Sequence, residues 1–166
     1  SALKNSPPLL LKSLPSSSEI EWVTYVSRGF EEYRGFPQAM KALELIQKRR
    51  SKVHLAIAGS DVVAYGSARD DGRSWKQWAE EDLDLDPLRT HWLGSIQESD
   101  YHALLAHSQA HLYITVPFVL SWSLLEAMAA ACPIVSSSTP PVQEVLRDKE
   151  NAFLVDFWDP VEQADA

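Results

Sequence analysis

Two arginines and one glutamate are the residues of this sequence best suited to chemistry. Arg28 and Arg34 share one short stretch, SRGFEEYRG. A guanidinium pair at that spacing could clamp a diphosphate and neutralise charge on a leaving phosphate. The same two side chains could instead pair with Glu31 and Glu32 and face water. Glu126 is flanked by Leu124, Leu125, Ala127 and Met128. An ionised carboxylate among apolar neighbours needs a partner. Two vicinal ribose hydroxyls would supply one, and water on a helix surface would supply the other. The run 118–123 could offer backbone N–H groups, with the hydroxyls of Ser121 and Ser123, to an anion at a helix start. An ordinary serine N-cap is the alternative there. Glu144 reads as a surface residue.

The remaining reactive types form no recognisable constellation. His54, His91, His102, His107 and His111 are scattered, and none stands at ligand spacing from another His or Cys, so no metal site is expected. The sequence contains no G-x-S-x-G, no P-loop and no G-x-G-x-x-G. Trp75 and Trp78 read as core or interdomain contacts.

These residues must be held by a regular framework, and the hydrophobic pattern supplies one. Short apolar or β-branched runs predict strands over 21–26, 53–58, 90–93, 112–116, 133–135 and 152–155. Helical spacing predicts helices over 36–50, 74–84, 98–107, 120–131 and 140–146, with Ser74 and Ser99 as caps. The tail after Asp159 reads as the first turn of one more. Strands alternating with helices about six times mean a parallel sheet covered on both faces, an α/β Rossmann-like three-layer domain. Ligands of such sheets bind beyond the carboxyl ends of the strands. The loops that matter are therefore 28–35, 59–73, 94–98, 116–123 and 136–144.

Composition narrows the partners. The chain has 166 residues, a net charge of −8 and a pI near 5.0. That length suits one domain, and 45% hydrophobic residues suit a packed core. The acidic balance argues against nucleic acid as a partner. Cys132 is the single cysteine, so no intrachain disulfide can form, which favours a reducing compartment. No apolar run is long enough to predict a membrane span. Residues 1–18 are rich in Ser and Pro and read as a flexible linker or tail, leaving 19–166 as the domain.

The ordered run PFVLSWSLLEAMAAACPIVSSSTPPVQEVLRDKENAFLVDFWDP, with the 28–35 loop and the Leu93-Gly94 turn, resembles the C-terminal domain of family 4 (group 1) glycosyltransferases of the GT-B fold. The resemblance extends from about residue 21 to 160. It implies binding of a nucleotide-diphosphate-sugar donor (UDP-, GDP- or ADP-sugar). It also implies sugar transfer with retention, without metal or other cofactor, by a longer enzyme. Such an enzyme carries a further N-terminal acceptor domain as its partner half. It would lie in the cytoplasm, or on the inner face of the membrane.

By the same resemblance, Glu126 binds the ribose hydroxyls, and Arg28 and Arg34 hold the diphosphate as the catalytic cations. Backbone amides of Ser121, Trp122 and Ser123 meet that diphosphate. Gly59 precedes a loop lining the cleft, and Ile96 packs on the base. Phe118 takes the position, eight residues before Glu126, of a glutamate that contacts the donor sugar in the family. Arg34 replaces a lysine. Ala131, Lys149 and Ala152 replace common glycines, and Ala131 is accommodated there if its φ is negative. Two other implications stay open: a binding or assembly module that has lost catalysis, and a sugar-nucleotide epimerase of the same fold.

Overall fold

The computed structural model describes residues 12–166, so most of the expected 1–18 tail lies outside the described residues. Six strands form one sheet in the order β3-β2-β1-β4-β5-β6, all parallel. They are β1 (Glu21–Gly29), β2 (Val53–Ser60), β3 (Thr90–Gly94), β4 (Ala110–Tyr113), β5 (Ile134–Ser137) and β6 (Phe153–Val155). The helices between them are α1 (Phe36–Arg49), α2 (Trp75–Asp82), α3 (Glu98–His107), α4 (Trp122–Ala129), α5 (Pro140–Gln143) and α6 (Pro160–Asp165).

Alternation along the strands builds two cores. Val23 and Tyr25 of β1, Leu55 and Ile57 of β2, and Leu112 of β4 face α1 and α2. Tyr113 and Ile134 face α3, α4 and the segment through Leu146. This gives the three-layer α/β Rossmann-like domain the pattern predicts. The register sets Tyr25 beside both Ile57 and Leu112. The strand order reverses between β1 and β4, and that is where the carboxyl ends of neighbouring strands diverge to leave a crevice.

Helix α1 shows how the sequence makes these elements. Phe36, Ala39, Met40, Leu43 and Ile46 recur at helical spacing and are buried against the sheet. Burying each large side chain of this kind contributes about 1.5–3 kcal/mol. Gly35 starts the helix at φ 60°, and a Cβ there would lie 2.4 Å from Ile114. Pro37 fits the first turn, and the basic Lys48 and Arg49 suit the last.

Several boundaries differ from the sequence expectation. β1 runs on to Gly29, so Arg28 ends a strand and does not begin a loop. Pairing with Ser60 extends it. β4 stops at Tyr113, and the backbone beyond it is held outside the sheet ladder: Thr115 N–H donates to Ser137 Oγ at 2.9 Å and Val116 N–H to the Tyr33 carbonyl. Helix α4 covers only Trp122–Ala129 and α5 only Pro140–Gln143. Gln97, not Ser99, occupies the N-cap position of α3. Ser74 does cap α2, with Gln77 completing a capping box. The tail forms helix α6, capped by Asp159.

Candidate functional site

A cavity of about 360 Å³ opens at the strand-order reversal. Its floor is the end of β1 (Tyr25 to Arg28) and the end of β4 through Thr115, and Arg34, Tyr65, Ser121, Trp122 and Ser123 form its walls. Hollows of about 500 and 420 Å³ lie at the amino ends of β1 and of β5–β6, and neither contains an arginine. Strand-end chemistry favours the smaller cavity at the carboxyl side.

The charge in this cavity is uncompensated. Arg49, Arg50, Arg69, Arg73, Arg89 and Arg147 each pair with a carboxylate. Among the described residues Arg28 and Arg34 are the arginines without an ion pair, and both line the cavity. The expected alternative, pairing with Glu31 and Glu32, is not formed. Glu31 turns away to accept the backbone N–H groups of Ala64, Tyr65 and Gly66. The Arg34 guanidinium instead lies 5.9 Å from the Tyr65 ring centroid and 5.6 Å from that of Phe118.

The backbone around Arg34 is fixed from below. Tyr25 O–H donates to the Arg34 carbonyl at 2.7 Å, and full burial pushes the Tyr25 phenol far above its ordinary pKa. Val116 N–H donates to the Tyr33 carbonyl at 3.1 Å, joining the arginine turn to the end of β4.

Opposite the arginines, helix α4 begins at the cavity wall. Ser121 sits at its N-cap position but gives no side-chain cap. Its hydroxyl lies 3.0 Å from Tyr113 Oη and 2.5 Å from Ser123 Oγ. The first N–H groups of such a helix have no partner within it and carry partial positive charge. Trp122 is 82% exposed at the rim.

The remaining predicted residues lie outside the cavity lining. Glu126 is on the next turn of α4, half-buried, with one carboxylate oxygen 3.5 Å from His102 Nε2 of α3. Glu98 joins them, and the three ligand atoms lie within 4.8 Å of one another. That spacing would suit a cation. Gly59, at φ 146°, lets β2 pass the Ser27 carbonyl, which a Cβ would meet at 2.1 Å. Ile96, like Val26 and Leu120, is partly buried against the second core.

The family model for glycosyl transferases group 1 matches residues 21–166. The chain belongs to this family. Solved structures agree on the fold of this group 1 domain. The C-terminal domain of a group 1 glycosyl transferase (LpcC) from Francisella tularensis is 17% identical, with TM-score 0.68, over 89% of this chain and 74% of that one. HepE of Anabaena, in complex with UDP and glucose, is 20% identical with TM-score 0.72, over 89% and 38%. A trehalose-phosphate synthase from Burkholderia xenovorans, in complex with glucose-6-phosphate, is 16% identical with TM-score 0.69, over 89% and 35%. The group 1 domain thus spans little more than a third of the length of these last two proteins. No curated protein gives a significant match. No helix among the described residues is long and apolar enough to cross a membrane.

Sequence reasoning missed two residues and two histidine contacts of this group 1 domain. Glu31 looked like a solvated loop acid and is 1% exposed. Tyr65 lay in a loop marked for inspection, and an exposed aromatic at a strand end was the available signal. The histidines are not all scattered. His54 Nδ1 and His91 Nε2 are 3.0 Å apart across β2 and β3, and His102 meets Glu126. Parallel register, invisible in linear spacing, brings the first pair together.

Proposed function

We propose that this chain is the donor-binding half of a retaining, metal-independent glycosyltransferase of family 4. The observation that carries this reading is the unpaired Arg28 and Arg34 in one cavity of an otherwise acidic, arginine-paired domain. A diphosphate would lie between these guanidiniums and the N–H groups at the start of α4. When the glycosidic bond breaks, negative charge grows on the leaving phosphate. Fixed cations facing that phosphate stabilise the transition state more than the ground state. Glu126, one turn along α4, would accept the ribose hydroxyls. UDP bound to the structurally similar HepE supports a nucleoside diphosphate as ligand. The acceptor and the second wall of the cleft would come from an N-terminal domain in the longer enzyme.

Titration calorimetry with UDP, GDP and ADP tests this. One of the three binds the wild-type chain, and Arg28→Ala with Arg34→Ala abolishes the signal. Equal heats from the double variant would refute the site.

Phe118 favours a second reading, a domain that binds donor without transferring it, because an aromatic ring stands where a sugar-reading acid is found in the family. Sugar transfer by the longer protein, lost on Glu126→Ala, separates the two.

A further inference from the structure

Glu31 is a buried carboxylate with an unusual set of partners. Its Oε2 accepts three consecutive backbone N–H groups, from Ala64 at 3.2 Å, Tyr65 at 2.8 Å and Gly66 at 2.7 Å. Its Oε1 is buried with no hydrogen-bond partner. An ionised oxygen removed from water is costly, and only good donors offset it. Among the described residues, these three bonds are the ones tying residues 63–68 to the rest of the chain. The next anchors lie on either side: Asp61 holds Ser74 and Lys76, and Arg69 pairs with Asp71.

The middle of that clamped segment is Tyr65. Its ring lies 6.1 Å from the Phe118 ring and 5.9 Å from the Arg34 guanidinium. Glu31 itself precedes the short turn Glu32–Arg34, and its carbonyl accepts Phe36 N–H at 3.2 Å. One residue therefore fixes both the turn that carries Arg34 and the loop that carries its aromatic neighbour.

We propose that Glu31 is a positioning residue of the donor site: it anchors the 64–66 backbone so that Tyr65, with Phe118, holds the Arg34 guanidinium toward the cavity. This rests on the donor-binding reading for its consequence, but not for its geometry. Aromatic faces accept no strong hydrogen bond, so the bracketed guanidinium keeps its N–H donors for phosphate oxygens. A site works when its first contacts are locked by a supporting layer, and Glu31 is that layer.

The test uses this chain and UDP. The Arg34 Nε–H resonance, assigned by its loss in Arg34→Ala, is displaced by the two rings in the wild type. Glu31→Gln and Tyr65→Ala both move it toward that of free arginine, and Glu31→Gln makes the 64–66 amides exchange faster. Both substitutions weaken UDP binding roughly tenfold, the loss of one charged hydrogen-bond contact. Tyr65→Phe, which keeps the ring, leaves affinity within about twofold of wild type. An unmoved resonance with unchanged exchange in Glu31→Gln overturns the proposal. Altered resonance and exchange with unchanged UDP affinity, while Arg34→Ala loses binding, overturns the positioning role and leaves the donor reading intact. Unchanged affinity in Arg34→Ala overturns the donor reading alone, and the anchor then stands or falls on the resonance and exchange.

Discussion

The Arg34 guanidinium lies 5.6 Å from the centre of the Phe118 ring, and no carboxylate pairs with it among the described residues. That contact decides what Arg34 can do. An acid at position 118 would compete for the guanidinium donors, whereas a ring holds the cation and leaves those donors open.

Phe118→Leu should therefore weaken nucleoside-diphosphate binding by about 0.5–1 kcal/mol, the worth of an exposed cation–π contact. Phe118→Glu should weaken it further, because the new carboxylate takes the Arg34 donors. Calorimetry on the two variants gives the order. A glutamate variant that binds as tightly as wild type would show that Arg34 does not meet the phosphates.

Glu126 gives an independent handle on the nucleoside. If its carboxylate accepts the ribose hydroxyls, the wild-type chain should prefer the nucleoside diphosphate it binds to the 2′-deoxy analogue by about 1.5–3 kcal/mol, the range for hydrogen bonds to a charged group. Glu126→Ala should bind both with equal, reduced affinity. His102 approaches Glu126 at 3.5 Å but is not the acceptor of the ribose hydroxyls, so His102→Ala is expected to leave the preference in place. Preference for the ribonucleotide that survives in Glu126→Ala would place the ribose elsewhere.

Local patterning made the layer order and most of the site accessible from the sequence. Runs such as VHLAIA at 53–58 have the length and β-branching of buried parallel strands, and they are β2. Arg28, Arg34 and the 121–123 turn meet in one cavity because all three lie at or beyond the carboxyl ends of β1 and β4, where an alternating parallel pattern places ligand sites. Contacts set by chain crossing were not legible. Nothing near Glu31 in sequence points to Ala64, and nothing near His54 points to His91. The ends of β4 and α4 also escaped, because there the backbone is held by Ser137, Tyr33 and Tyr113 side chains or carbonyls and not by local propensity.

Ala131 offers a stability test. Its φ is 51°, so the condition under which an alanine is accommodated here, a negative φ, is not met, and an L side chain is strained. Lys149 at φ 60° is in the same state. Both close turns before strands. Ala131→Gly should stabilise the fold by roughly 0.5–1 kcal/mol, the relief of left-handed strain less the added freedom of the unfolded chain. Urea unfolding measures it, and a lower midpoint in the glycine variant would show that the turn tolerates the methyl group without strain.

Mild acid should destabilise this domain, and His111 is the main reason. It is completely buried, with Nδ1 2.9 Å from Thr24 Oγ1 and Nε2 without a partner. Burial lowers its pKa from 6.5 to about 4. Burial also lowers those of the stacked pair His54 and His91, with Arg89 adding to the effect at His54 and His54 itself adding to it at His91. The folded state thus resists a proton that the unfolded chain accepts near 6.5. Stability is complete above that value and falls as pH drops toward 4. Between pH 7 and 5, His111 alone should cost about 2 kcal/mol. His111→Gln keeps a neutral hydrogen-bonding side chain and removes this titration. Urea midpoints at pH 7 and 5 should fall much more for wild type than for His111→Gln. Parallel falls in both proteins would show that His111 takes its proton as readily in the folded state as in the unfolded chain.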